Sequence, residues 1–364
     1  MIVGIAGRLA SRLTLIACAV TLACLGIEAG LRLRPLPPSD LRGLHEVRPD
    51  RPWLYGLKPG AHQRIADGTA EYRINADGFR DRMVARPKPP ATFRIAILGD
   101  SLTFGYAVAE EDTLPRKLES RLAATSAGPR IEVLNLGVAG YNAYTEAALF
   151  ADVGVRYQPD LVLVQFCVND LNDPTLHFDF STRTRLPEIP PEAFPDPSQR
   201  WNESSPSLAG RICEKLRSCT LVRERLFPPR DRLARQLLAI APHADPTPRE
   251  IAWLEARYGE IATAAAGIGA RFAIVVFPFV TQLEPSASTR LQEALGALGA
   301  RRGWPVIDLL PALRRAGASG SEPLFLDIWH TTPTGYRVAA AALAAELACR
   351  RLVPVAPGAD CAAP

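Results

Sequence analysis

From Arg94 onward the chain alternates short apolar runs with stretches whose apolar residues recur every three or four positions. Arg94–Leu98 (RIAIL) reads as a strand that stops at Gly99. Behind Asp112 and Thr113, which can cap a helix with Pro115 in its first turn, Leu114, Leu118 and Leu122 mark one apolar face. Ile131–Leu136 is a second strand, followed by a helix from about Asn142 to Val155. Leu161–Phe166 (LVLVQF) is almost wholly apolar, the mark of a strand buried on both faces. The rhythm stops between 171 and about 246, where Pro is frequent and only Leu208–Leu226 has a helical pattern. It resumes at Thr247-Pro248-Arg249-Glu250, a capping box with Pro at the first helical position. A strand at Arg271–Phe277, a helix near Thr289–Leu298, a strand at Pro305–Leu310 and a helix over Pro333–Cys349 complete the series. Repeated strand–helix units predict an α/β fold with a parallel sheet and helices on both faces. In such sheets chemistry gathers at the carboxyl ends of the strands.

The first quarter of the chain has a different pattern. Arg8 and Arg12 precede an uncharged apolar run, Leu13–Ile27, and then Glu28 and Arg32 interrupt it. A basic start before such a run reads as a secretory signal or a short anchor. Leu13–Leu33 reaches the roughly 20 residues of a membrane span only by tolerating Glu28 and Arg32 near one interface. No clean Ala-x-Ala cleavage site follows, so an uncleaved anchor with the rest of the chain exported is expected first and cleavage second. Residues 39–90 are Pro- and Arg-rich, with a possible strand at Glu71–Ile74 and a turn at Asn75–Gly78. The segment is too small for an independent domain.

Composition changes this picture little. The 364 residues are 48% hydrophobic and 22% charged, which excludes a disordered polar chain. The net charge of +4 is small and its Arg residues do not cluster, so nucleic acid is not an expected partner. The seven Cys show no CxxC spacing, which argues against a zinc site; Cys349 and Cys361 flank a Pro/Gly tail that can fold back and bridge.

Four short segments fall where strand-end loops belong. Gly99-Asp100-Ser101-Leu102 follows the first strand and puts a hydroxyl at its carboxyl end. Gly137-Val138-Ala139-Gly140 follows the second, where glycines let the backbone approach a ligand and expose an N–H. Cys167-Val168-Asn169-Asp170 follows the third, where a side-chain amide can donate to a developing oxyanion. Asp327-Ile328-Trp329-His330 precedes the last helix, where a carboxylate three residues before an imidazole can hold its tautomer. Each also has an ordinary reading as a turn or cap. Of the five His, only His330 sits by such a strand end with an acid nearby.

Taken in order, the four blocks resemble those of the SGNH (GDSL-type) hydrolase superfamily over about residues 94–350. The resemblance implies a three-layer α/β/α, flavodoxin-like fold with a five-stranded parallel sheet, here with an N-terminal transmembrane or signal helix. It implies Ser101 as nucleophile, His330 as general base and then acid, and Asp327 as the residue that orients His330. It implies an oxyanion hole from the backbone N–H groups of Ser101 and Gly140 and the side-chain amide of Asn169. Cys167 stands where the family usually has Gly, and is expected to be a small buried residue. No cofactor and no metal are implied.

The expected organisation is an anchor over residues 1–34, a linker and pre-domain segment over 35–90, a hydrolase domain over 91–352 with an insertion at about 171–246, and a tail over 353–364. The export signal and EYRINADGFRDRM (71–83) also resemble a bacterial, membrane-anchored subgroup acting on acyl groups of envelope glycans or lipids. The implied location is the inner membrane with the catalytic part in the periplasm. Two other readings remain: an O-acyltransferase using the same acyl-enzyme, and an inactive glycan-binding scaffold.

Overall fold

The structure, a computed structural model, describes residues 2–33, 41, 43–64, 70–126, 128–171, 218, 245–320, 322–355 and 361. They divide between two compact units, Met1–Pro37 with Asn202–Arg235, and Pro38–Trp201 with Gln236–Pro364. Nearly all of the expected insertion, including the helical pattern at Leu208–Leu226 apart from Ser218, lies outside the described residues.

In the first unit α1 spans Ile2–Leu33. Its window Thr14–Leu31 has a mean hydropathy of 1.9 and is long and apolar enough to cross a membrane or serve as a signal sequence. Glu28, the charge that interrupts the apolar run, is not bare. Its Oε2 accepts hydrogen bonds from the backbone N–H and the Oγ–H of Ser218, at 3.0 and 2.9 Å.

The second unit opens with two small antiparallel ribbons. β1 (His45–Val47) pairs with β2 (Tyr55–Leu57), and β3 (His62–Arg64) with β4 (Glu71–Arg73). The turn after β4 forms because Asn75 Oδ1 accepts the N–H groups of Asp77 and Phe79. Five parallel strands follow: β5 (Thr92–Leu98), β6 (Arg130–Asn135), β7 (Leu161–Phe166), β8 (Arg271–Val276) and β9 (Val306–Asp308). Their order across the sheet is β6-β5-β7-β8-β9. All six residues of β7 are buried, which explains its unbroken apolar sequence.

The helices are α2 (Ser101–Phe104), α3 (Leu114–Thr125), α4 (Ala143–Asp152), α5 (Pro248–Gly267), α6 (Arg290–Arg302), α7 (Leu310–Ser319) and α8 (Pro333–Cys349), numbered among the described residues. On one side α3 and α7 pack against α8; on the other α4 and α6 pack against α5. α3 buries Leu114, Leu118 and Leu122, the face its periodicity predicts. The chain steps from β5 outward to β6 and returns on the other side of β5 to β7. The connections leaving β5 and β7 therefore diverge, which opens a crevice at their carboxyl ends.

Some boundaries differ from expectation for local reasons. α5 begins with the expected reciprocal cap, in which the Thr247 side chain accepts from Glu250 N–H and the Glu250 side chain from Thr247 N–H. Asp112 instead lies in a 3₁₀ turn, and Thr113 Oγ1 donates to Glu110 O, so α3 starts without a side-chain cap. β9 stops at Asp308 because its carboxylate accepts Leu310 N–H and starts α7, a helix the apolar pattern did not reveal. A Cys349–Cys361 disulfide ties the tail to the end of α8.

Candidate active site

β5 ends at Leu98, and Asp100 then caps the short helix α2 by accepting Leu102 N–H at 2.9 Å. That cap makes Ser101 the first residue of the helix. The first N–H groups of a helix have no partner within it, and Ser101 N–H donates no hydrogen bond among the described residues. The Gly block follows β6 and lies against this helix. A Cβ on Gly137 would come within 2.5 Å of Phe104 N and 2.7 Å of the Thr103 side chain, so only glycine permits the approach.

The fourth block is folded by its own Asp. Asp327 Oδ1 accepts the N–H groups of Trp329 and His330 at 3.0 and 2.8 Å, and Oδ2 lies 2.6 Å from His330 Nδ1. A bond between Leu326 N–H and His330 O closes the loop. His330 Nε2 then lies 2.8 Å from Ser101 Oγ across 229 positions of sequence. Since the carboxylate accepts from Nδ1–H, Nε2 is left free to accept the Ser101 proton. Burial would raise the pKa of Asp327, but the imidazole and these backbone N–H groups hold it below its ordinary value, so it stays ionised. The ring of Tyr106 lies over His330 with centroids 4.4 Å apart, and Trp329 meets the same ring edge-on.

Ser101, Asp327 and His330 are thus brought into one hydrogen-bonded chain. Gly140 sits in a turn with φ of +87°, and its N–H donates to no described residue. Asn169 lies in a 3₁₀ turn, Val168–Leu171, at the end of β7, across the crevice from β5; its side chain is outside what the structure describes. Cys167 is buried and forms no disulfide. No cluster able to hold a metal occurs among the described residues.

Three residues support the site in roles that the sequence did not reveal. Asp170 Oδ2 accepts Cys167 N–H at 2.8 Å and the Tyr258 hydroxyl at 3.2 Å, so the residue beside Asn169 shapes the turn that carries it. Arg80 is fully buried and donates to the carbonyls of Phe104, Gly105, Val108 and Glu71, which fixes the C-terminal end of α2. Tyr336, in the first turn of α8, donates to Leu102 O at 2.8 Å. A buried Tyr or Arg leaves no mark in sequence that separates it from its exposed counterparts.

Glu146 on α4 is 1% exposed, and neither carboxyl oxygen has a hydrogen-bond partner among the described residues. Burial pushes its pKa well above the ordinary 4.5, and the neighbouring Asp170 and Asp100 add repulsion. The donors on Asp170 leave Glu146 as the group that keeps its proton. A raised folded-state pKa makes the folded protein bind the extra proton, so stability falls as pH rises above 4.5 toward the folded value. Glu146→Gln is therefore expected to be more stable than wild type at neutral pH and to show a smaller fall, the rest coming from Asp170, whose pKa burial also raises. Parallel curves of unfolding free energy against pH for the two proteins would contradict the assignment.

The model of the GDSL-like lipase/acylhydrolase family matches residues 97–338, from β5 into α8, and so takes in all four blocks. A comparison with curated proteins gave no match. Among solved structures, the chain is similar to a lipase/acylhydrolase from Enterococcus faecalis, at 18% identity over 70% of this chain and 95% of that one, TM-score 0.39. It is also similar to a member of the lipolytic protein G-D-S-L family from Veillonella parvula DSM 2008, at 15% identity over 69% and 95%, TM-score 0.37. A catalytic mutant of an acetylxylan esterase from Geobacillus stearothermophilus aligns at 13% identity over 69% and 92%, TM-score 0.42. The assignment rests on the family match, and the sheet topology agrees with it: the chain belongs to the GDSL-like lipase/acylhydrolase family and is an ester-hydrolysing enzyme.

Proposed function

We propose that Ser101 is the nucleophile of this hydrolase, His330 its general base and then acid, and Asp327 the carboxylate that holds the imidazole. One observation carries the proposal: the unbroken run from Ser101 Oγ to His330 Nε2 at 2.8 Å and from His330 Nδ1 to Asp327 Oδ2 at 2.6 Å. Serine is a weak nucleophile until a base takes its proton. As Oγ bonds to the acyl carbon, its proton passes to Nε2. The carbonyl oxygen becomes an oxyanion held by the N–H of Ser101, the N–H of Gly140 and the Asn169 amide, each worth about 3–4 kcal/mol to the transition state. The alcohol leaves with the proton from Nε2. Water then gives Nε2 a proton as it attacks the acyl-enzyme, and that proton passes to Ser101 Oγ as the Oγ–carbon bond breaks and the acid leaves.

The substrate proposed is a short O-acyl ester, acetyl above all, on a glycan or lipid of the bacterial envelope. α1 would hold the enzyme at the inner membrane, with the catalytic unit in the periplasm. The stretch Thr14–Leu31 supports the anchor, and the Cys349–Cys361 bridge suits an oxidising compartment. With an acetylated sugar as donor and an excess of free sugar as acceptor, acetate release should exceed acetyl transfer. Transfer in excess of release would make the protein an acyltransferase using the same acyl-enzyme.

A further inference from the structure

The turn that presents Gly140 has two possible orientations, and the backbone alone does not choose between them. Tyr141 N–H donates to Val138 O at 3.1 Å, so Val138–Tyr141 is a β-turn with Ala139 and Gly140 at its centre. The φ of +87° at Gly140 is the third-position value of a type II turn. A type I turn closes the same Val138–Tyr141 hydrogen bond with the central peptide turned over. Glycine accepts either form without steric cost. That central peptide carries both Ala139 C=O and Gly140 N–H. In a planar trans peptide these two bonds point in opposite directions. Whatever fixes the carbonyl oxygen therefore fixes the direction of the N–H.

His45 supplies that constraint from a distant part of the chain. It opens β1, 94 positions before Ala139, and its Nε2 lies 3.1 Å from Ala139 O. A carbonyl oxygen only accepts, so at this contact Nε2 carries the hydrogen of the neutral ring; Leu41 O also lies beside the ring, but the buried Nδ1 makes no hydrogen bond of good geometry among the described residues. Burial lowers the pKa of the ring to about 4, overriding the backbone carbonyls beside it, so the ring stays neutral near neutral pH.

The ribbon that carries His45 is held on the catalytic unit by other contacts. The Tyr55 ring meets the rings of both His45 and Tyr141 edge-on, at 5.8 and 5.2 Å, and Tyr141 Oη donates to Tyr55 O. At the far end Trp53 Nε1 and Arg51 Nη1 both donate to Asp152 Oδ2, at 3.0 Å each, at the end of α4. His45 is therefore presented to the turn by a scaffold that does not depend on the His45–Ala139 bond.

We infer that His45 is a positioning residue of the oxyanion hole: its Nε2–H grips Ala139 O and keeps the Ala139–Gly140 peptide in the orientation that turns Gly140 N–H toward the reacting carbonyl. The inference rests on the reading of Gly140 as an oxyanion donor. It makes the ribbon before the sheet a working part of the esterase. His45 touches no substrate, so its removal should lower kcat and leave KM nearly unchanged, because the donor matters most once charge has developed on the oxygen.

The test is steady-state hydrolysis of an aryl acetate by the full chain, comparing wild type with His45→Phe, His45→Gln and His45→Asn, and with Ser101→Ala as a control. His45→Phe keeps a ring against Tyr55 but removes the donor. It should lose about 10–100-fold in kcat, the range expected for a misdirected hole donor, with KM within about twofold and an unchanged thermal midpoint. His45→Gln can still reach Ala139 O with an amide N–H and should recover most of the rate. His45→Asn is one methylene shorter and should be about tenfold slower than His45→Gln. That pair decides the matter even if His45→Phe fails to fold. Equal kcat for His45→Gln and His45→Asn, or a His45→Phe that folds and keeps wild-type kcat, overturns the role of His45 while the Ser101 mechanism stands. Activity in Ser101→Ala equal to wild type overturns the mechanism itself, and the inference with it.

Discussion

Ser101→Ala is expected to lower kcat for an aryl acetate by about 10⁴-fold or more, with a thermal midpoint close to that of wild type. The size follows from the role. Without Oγ there is no acyl-enzyme, and the remaining hole donors can only assist direct attack by water, a much slower route. Stability should be spared because Ser101 Oγ supports nothing in the fold. Its hydrogen-bond partners are His330 Nε2 and, at 3.4 Å, Asp100 Oδ2. His330→Ala should be nearly as slow. The double variant should be little slower than either single one, because residues acting as a unit are not additive. Additive losses would indicate that the two side chains work independently.

The largest loss of stability is expected at Arg80. Its guanidinium is fully buried with no carboxylate partner among the described residues, and donates to Phe104 O at 3.1 Å, Val108 O at 2.8 Å, Glu71 O at 3.2 Å and Gly105 O. The rings of Tyr72 and Phe104 lie 4.5 and 5.3 Å from it. Burial lowers its pKa, yet an Arg remains charged in proteins, and here the charge is spread over carbonyl dipoles and ring faces. Arg80→Met keeps much of the stem packing but leaves these carbonyls without a donor. Since each buried unsatisfied group costs about 1–3 kcal/mol, a total near 3–5 kcal/mol is expected, read from urea unfolding of the full chain. Arg80→Lys should recover only part, because one ammonium cannot span acceptors arranged around a planar fork. Since Phe104 and Gly105 end the helix that starts at Ser101, kcat should fall in both variants as well. A midpoint for Arg80→Met within the error of wild type would show that solvent replaces the guanidinium.

The blocks of chemistry were legible because they are local: Gly99–Leu102, Gly137–Gly140, Cys167–Asp170 and Asp327–His330 each pair a chemical group with the loop geometry that displays it. The strands were legible for a related reason. A parallel strand covered on both faces, such as Leu161–Phe166, has to be apolar throughout. Long-range supports left no such trace. Arg80 is one of many Arg in a chain that uses little Lys, and nothing nearby marks it as buried. His45 lies outside the strand-end blocks although Glu46 follows it, and its partner is a backbone carbonyl 94 positions away. Glu146 sits on α4 like any acid in a first helical turn, and only the packing of α4 against its neighbours shows that it is enclosed. α7 was missed because Asp308-Leu309-Leu310-Pro311 reads equally well as a strand end.

The central claim is that His330 activates Ser101, and the most direct measurement is covalent trapping with a fluorophosphonate probe, which needs no knowledge of the substrate. Intact mass and peptide mapping of the full chain should show one adduct, on Ser101. Ser101→Ala should carry none, and His330→Ala should label at least about 100-fold more slowly, because general-base assistance is worth that much. Labelling of Ser101→Ala at the wild-type rate, or a wild-type adduct on another residue such as Cys167, would contradict the account.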